Sequence, residues 1–162
     1  MWKTSLLSRG FLRLVSWFLG GNRIVVLVKK PGVARKEYFL REIVVAIQMV
    51  THNNGHKILG CCLETECPIL VYEWMSHGTL EGCILVGDEN GPNKQVLEWK
   101  DKLRIAWEIS HVVAYLHTAF PRPIIYGHLT PMNVFLDQDN IGRLSDFILS
   151  ISISEGVKNL LK

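Results

Sequence analysis

Ile124-Ile-Tyr-Gly-His-Leu-Thr-Pro-Met-Asn-Val-Phe-Leu-Asp137, followed by Ser145-Asp146-Phe147-Ile148, is the part of the sequence that decides the fold. Two short apolar runs flank a polar loop carrying His128, Thr130 and Asn133, the pattern of a strand, a site loop and a second strand. An imidazole titrates near neutrality, so His128 has the chemistry of a general base, provided it lies within hydrogen-bond reach of the proton it would take.

Working outward, the wording of this stretch resembles the protein kinases, in which H-R-D-L-x-x-x-N is the catalytic loop and D-F-G supplies the metal-binding Asp. By that resemblance Tyr126 stands at the His, Gly127 at the Arg, His128 at the catalytic Asp and Thr130 at the catalytic Lys. Asn133 and Asp146 occupy the two magnesium-holding positions, and Ile148 replaces the Gly of D-F-G. Phosphoryl transfer rests on positioning and charge stabilisation. Loss of the Asp and the Lys together therefore implies that no catalytic residue is intact. A neutral His128 lacks the negative charge that complements a metal, so the reading favours a site no longer used for catalysis.

Upstream, Arg23-Ile-Val-Val-Leu-Val-Lys29-Lys30 is a β-rich run similar to the kinase strand V-A-I-K, which places Lys29 at the nucleotide phosphates. The helical pattern Glu37–Val50 then offers Glu42 as the Lys-pairing carboxylate. Leu59-Gly-Cys-Cys-Leu-Glu64 and Leu70-Val-Tyr-Glu-Trp-Met75 resemble plant receptor-like kinases. That likeness makes Tyr72 the gatekeeper and puts the backbone of Glu73 and Met75 against an adenine. Gly55 stands where the family has an apolar residue, which predicts weaker packing there. The segments Tyr115–Ile125, Phe135–Asp139 and Leu144–Glu155 are similar to the ZED-related kinases, a plant subgroup of kinase-like proteins. Membership there implies an adaptor or decoy, a pseudokinase in plant immune signalling, whose protein partner is an immune receptor or another kinase. The alternative is a serine/threonine kinase with ATP binding and low phosphotransferase activity. ATP and magnesium are expected to bind weakly, through Lys29, Glu42, Glu73 and Met75 for the nucleotide and Asn133 and Asp146 for the metal.

The expected fold class is α+β, a partial kinase fold with a reduced antiparallel sheet, one helix against it, and a truncated helical lobe. A whole kinase domain needs about 250 residues or more, at the upper end of domain sizes, whereas this chain has 162. The division read from sequence is a basic amphipathic segment at 1–22, a partial N-lobe at 23–75 and a truncated C-lobe at 76–162 that ends just after the D-F-G-like motif. No G-x-G-x-x-G loop precedes Ile24, so the first two sheet strands are expected to be missing with it. In residues 1–20, Leu7, Phe11, Leu14, Val15 and Phe18 fall on one face at helical spacing. Arg9 and Arg13 disfavour a membrane span. Three uses of that helix stand: packing over the bare edge of the strand at Ile24–Val28, which ranks first; peripheral contact with an anionic membrane; and organelle targeting. Downstream, the helix Asp101–Ala119 is expected to bury Leu103, Ala106, Val113 and Leu116 and to leave an apolar patch on the shortened lobe.

Composition narrows the function classes. Apolar residues make up 48% of the chain, which argues for a globular domain. Residues 1–36 hold eight Lys or Arg and no acid, so the net charge of +3 belongs to the N-terminus and gives no support to nucleic-acid binding by the body. Four cysteines, Cys61, Cys62, Cys67 and Cys83, without a signal peptide read as reduced thiols in the cytoplasm, with the inner face of the plasma membrane as the other location. His56 with Cys61, Cys62 and Cys67 lacks paired C-x-x-C spacing, and neither zinc nor haem is expected.

Overall fold

The computed structural model describes residues 3–5, 12–19, 22–30, 36–85 and 97–153. Within them the chain runs β1 (Lys3–Ser5), β2 (Leu12–Leu19), β3 (Asn22–Lys29), α1 (Lys36–Gln48), β4 (Ile58–Cys62), β5 (Ile69–Glu73), β6 (Gly78–Thr79) and α2 (Leu80–Leu85). It continues through α3 (Trp99–Thr118), β7 (Ile124–Ile125), a 3-10 turn at Pro131–Asn133, β8 (Val134–Leu136), β9 (Gly142–Leu144), a second 3-10 turn at Phe147–Leu149, and β10 (Ile151–Ser152).

The fold is the expected α+β arrangement of an antiparallel sheet, a helix against it and a mainly helical second part. Where a helix was expected, residues 3–5 and 12–19 form strands. Among the described residues the sheet has five strands in the order β1-β2-β3-β5-β4, so two strands stand ahead of β3 where none was expected. The edge of β3 is covered by β2, paired from Leu12 with Lys29 to Leu19 with Asn22. In sequence two residues separate the paired Leu19 and Asn22. The residues of Leu12–Leu19 fit both periods. What decides between them is the ladder to β3, a partner that a local reading of the helical period cannot weigh. Leu7, Arg9 and Phe11, which the helix reading also used, lie outside the described residues.

One contiguous core joins the sheet to the helical part. Leu27, Leu70 and Tyr72 from the sheet, Phe39, Val45 and Ala46 from α1, and Ile105, Ile109, Val112 and Leu116 from α3 all belong to it. In α1 the buried positions Phe39, Glu42, Val45 and Ala46 follow helical spacing, which is why this element reads clearly from sequence. The buried stripe of α3 runs instead through Ile105, Glu108, Ile109, Val112 and Leu116. Leu116 was expected to be buried; Leu103 and Ala106 are exposed and Val113 is half-buried. This helix is apolar on two faces, and the face that packs also carries Glu108. That buried carboxylate accepts from Gly142 N–H at 2.7 Å and from Arg104 at 2.6 Å, tying α3 to β9. Trp99, Leu103 and Trp107 form an apolar exposed strip on the other side, 72%, 53% and 63% accessible.

Gly55 corrects another expectation. A Cβ there would lie 2.7 Å from the Met49 carbonyl oxygen, so the missing side chain allows a close backbone approach rather than loosening the core. The same segment docks on β9, with Leu144 N–H donating to Asn54 O at 2.8 Å and His56 N–H to Leu144 O at 2.9 Å.

Candidate functional site

The last residue of β3, Lys29, is buried, and its ammonium sits among three carboxylate oxygens. It donates to both oxygens of Glu42 at 2.8 Å and to Asp146 Oδ1 at 2.9 Å. Strand β3 brings Lys29 in from the sheet, α1 presents Glu42 from its buried stripe, and the turn after β9 delivers Asp146 from 117 residues away. Glu42 is completely buried and also accepts from the Tyr72 hydroxyl at 2.8 Å. Burial pushes the Glu42 carboxyl above its ordinary value, with Lys29 and the Tyr72 hydroxyl working in the opposite direction. Burial raises the Tyr72 phenol further, and the Glu42 charge adds to it.

Asp146 has a φ of 60° and a ψ of 66°, left-handed backbone that Asp tolerates better than most residues. Its ion pair with Lys29 holds it there. Behind it, the Tyr126 hydroxyl donates to the Ser145 carbonyl, and the Tyr126 and Phe147 rings meet edge to face at 5.7 Å. Burial pushes the Tyr126 phenol upward.

The polar side chains of the loop bond to one another. The Asn133 side-chain amide donates to the His128 carbonyl at 3.0 Å and to His128 Nδ1 at 3.1 Å. A backbone carbonyl only accepts, which fixes the amide orientation, and Nδ1 must then be the unprotonated nitrogen. In the neutral ring Nε2 carries the proton. Neither nitrogen is left as a free base, and Asn133 keeps only its amide oxygen for a cation. The Thr130 hydroxyl is buried with no hydrogen-bond partner among the described residues.

Gly127, where the resemblance puts the family's Arg, has a φ of 79°, and a Cβ there would lie 2.9 Å from the Leu149 carbonyl oxygen. Both the torsion and the space exclude a side chain. Gly127→Ala is expected to lower stability by about 1 to 3 kcal/mol, measured by denaturant unfolding. A loss below the error of that measurement would show that the loop relaxes freely.

The backbone of Glu73 and Met75, at and beyond the end of β5, has internal partners. The Glu73 carbonyl lies 2.9 Å from His56 Nε2, and the Met75 carbonyl accepts from Gly78 N–H at 3.3 Å. Thus Lys29, Glu42 and Asp146 meet directly, Asn133 and His128 meet beside them, and Glu73 and Met75 line the end of the sheet. Sequence reasoning missed His56, Tyr72 and Ser145 as members of the polar network. His56 was weighed only as a zinc ligand with Cys61, Cys62 and Cys67. Its ring is completely buried with both nitrogens engaged, while Cys61 is exposed. Among the described residues no cluster of three or more His, Cys, Asp or Glu side chains is placed to hold a metal, and no helix is long and apolar enough to cross a membrane.

"Serine/threonine-protein kinase ZRK1" of Arabidopsis thaliana is 43% identical over 118 residues, 71% of this chain and 32% of its own length. "Non-functional pseudokinase ZED1" of the same plant is 43% identical over 116 residues, 72% of this chain and 33% of its own. "Serine/threonine-protein kinase ZRK7", also from Arabidopsis thaliana, is 45% identical over 146 residues, 86% of this chain and 52% of its own. The chain thus spans about a third to a half of the length of these relatives. The family described as protein tyrosine and serine/threonine kinase matches residues 17–160, which include the Lys29, Glu42 and Asp146 cluster and the Asn133 loop. With that match lying over the residues that build the site, this chain belongs to the protein tyrosine and serine/threonine kinase family.

Proposed function

We propose that this chain is a catalytically impaired kinase-like protein, a pseudokinase that acts by binding another protein. The observation that carries this reading is the loop at His128: no carboxylate stands at the base position, and the imidazole nitrogens are one engaged by Asn133 and one protonated. Gly127 adds to it, because its backbone does not accept the family's Arg without rearrangement. Similarity to a protein named non-functional pseudokinase supports the same direction. By the resemblance to the ZED-related subgroup, the partner is an immune receptor or another kinase, and the setting is plant immune signalling in the cytoplasm, with the inner face of the plasma membrane as the other location.

Magnesium nucleotide fits the donor set only in part. Asp146 would hold the metal with the Asn133 amide oxygen, and magnesium is ordinarily bound by one or two carboxylates plus substrate phosphates. Here Lys29 already neutralises Asp146 Oδ1, and the carbonyls of Glu73 and Met75 already accept bonds. Binding is therefore weak. A second reading, a serine/threonine kinase with low activity, is favoured by the assembled Lys29, Glu42 and Asp146 cluster.

A thermal melt of the purified chain with and without magnesium ATP separates the two. A ligand at a hundred times its dissociation constant stabilises a fold by about 2.7 kcal/mol. The expected result is one cooperative transition that magnesium ATP at millimolar concentration does not move. An upward shift, together with phosphotransfer lost in Lys29→Ala and Asp146→Ala, would establish the enzyme instead.

A further inference from the structure

His56 shares complete burial with Glu42 among the polar side chains of the site. It is fully buried between the rings of Tyr72 and Phe135, with centroids at 4.9 and 5.1 Å. Its Nε2 lies 2.9 Å from the Glu73 carbonyl oxygen and its Nδ1 2.9 Å from Ser145 Oγ. A carbonyl can only accept, so Nε2 carries the hydrogen, and in the neutral ring Nδ1 accepts the Ser145 hydroxyl proton. The tautomer follows from the partners. One side chain thus links the end of β5 to the residue immediately before Asp146.

We propose that His56 is a specificity-determining residue that sets this cleft against purine nucleotides by acting as a built-in donor to the Glu73 carbonyl. The proposal rests on the reading that Glu73 and Met75 are the backbone a base would meet. A purine's exocyclic amine would offer that carbonyl the N–H that His56 already supplies. The oxygen has a second lone pair, so a base is not forbidden, but it gains less from an acceptor already in use than from a free one. The bond to Ser145 makes the ring costly to displace, because its departure would take the partner from a buried hydroxyl and from a partly buried carbonyl at once. Phosphate-side groups are satisfied in the same manner, with Lys29 bound to Glu42 and Asp146. Groups that a nucleotide would meet at either end already have partners within the chain.

The test compares wild type, His56→Gln and the double variant His56→Val with Ser145→Ala, titrated with magnesium ATP and, separately, with adenosine. Gln keeps one donor and one acceptor at the site, whereas the double variant frees the Glu73 carbonyl and removes the hydroxyl that His56 would orphan. The double variant is expected to bind about three- to tenfold more tightly than wild type, the range of one neutral hydrogen bond, and His56→Gln to stay like wild type. A merely structural role would lower the melting temperature of the double variant without raising its affinity, and that result would overturn the proposal. A second measurement needs no variant: the 15N shifts of the wild-type imidazole should show a neutral ring protonated at Nε2 and unmoved by magnesium ATP. Protonation at Nδ1 alone would leave no donor for Glu73 and would equally overturn it. Tight nucleotide binding by wild type would instead count against the nucleotide-poor reading of the function, independently of how the variants compare with one another.

Discussion

Glu42→Ala is expected to destabilise the fold by about 3 to 5 kcal/mol, the cost of removing one partner from a buried charge pair. The carboxylate has no exposed surface and takes bonds from both Lys29 and Tyr72. Its removal leaves a buried ammonium with one carboxylate, Asp146, and a buried phenol with none. For a domain of this size that loss lowers the melting temperature by on the order of 10 °C. The design that separates charge from packing is a double-mutant cycle. Lys29→Met with Glu42→Leu replaces both ends of the pair with apolar groups, leaves the part-exposed Asp146 to solvent and the Tyr72 hydroxyl unpaired, and should recover part of the loss, since apolar replacement of a buried pair is often near neutral. Non-recovery would place the cost in packing around α1. A loss under about 1 kcal/mol for Glu42→Ala, the scale of exposed pairs, would show that the Lys29 and Asp146 contact alone satisfies the site.

The second large effect is on pH dependence. Burial lowers the His56 imidazole from its ordinary 6.5 to about 4, with the Arg143 and Lys29 charges adding to the effect and the Glu73 carbonyl opposing it. Below pH 6.5 the unfolded chain takes up a proton at this ring and the folded chain does not. Stability from His56 is therefore complete above 6.5 and is lost as pH falls toward 4. A gap of that size corresponds to about 3 kcal/mol. Other groups titrate in the same window: His52 is also held down by burial and acts in the same sense, while Glu42 is held up and acts in the opposite one. The informative quantity is hence the difference between wild type and His56→Gln, followed by denaturant unfolding at pH steps from neutrality to 4.5. The expected outcome is a wild-type curve that falls more steeply with acid. Parallel curves would mean that the ring takes its proton in the folded state without penalty.

Both effects depend on side chains whose roles were unequally visible in the sequence. Lys29 ends a β-branched run and Glu42 lies in a clean helical stripe, so local pattern marks each of them. Asn133 and Asp146 stand at fixed offsets in short motifs. His56 carries no such mark. It sits in an ordinary strand approach, and its partners, Glu73 and Ser145, lie 17 and 89 residues away. Gly127 and Gly55 likewise read as losses of a family residue, whereas the fold shows a positive φ at the first and a close backbone approach at both.

The sequence by itself determined the family resemblance, the α+β class, the helix bearing Glu42, and that His128 and Thr130 stand where the resemblance puts the catalytic Asp and Lys. Each is a matter of residue identity or of a period within a few turns of chain. Tertiary structure alone decided that Leu12–Leu19 is a strand, that α3 buries Ile105 and Ile109 rather than Leu103 and Ala106, and that His56 fills the Glu73 carbonyl. In all three the local sequence is compatible with two outcomes. The choice falls to a distant partner: the ladder of β3, the β9 turn that bonds Glu108, and the hydroxyl of Ser145. A hydrogen bond or packed face between remote segments leaves no periodic trace in either, so it is settled only when the chain folds.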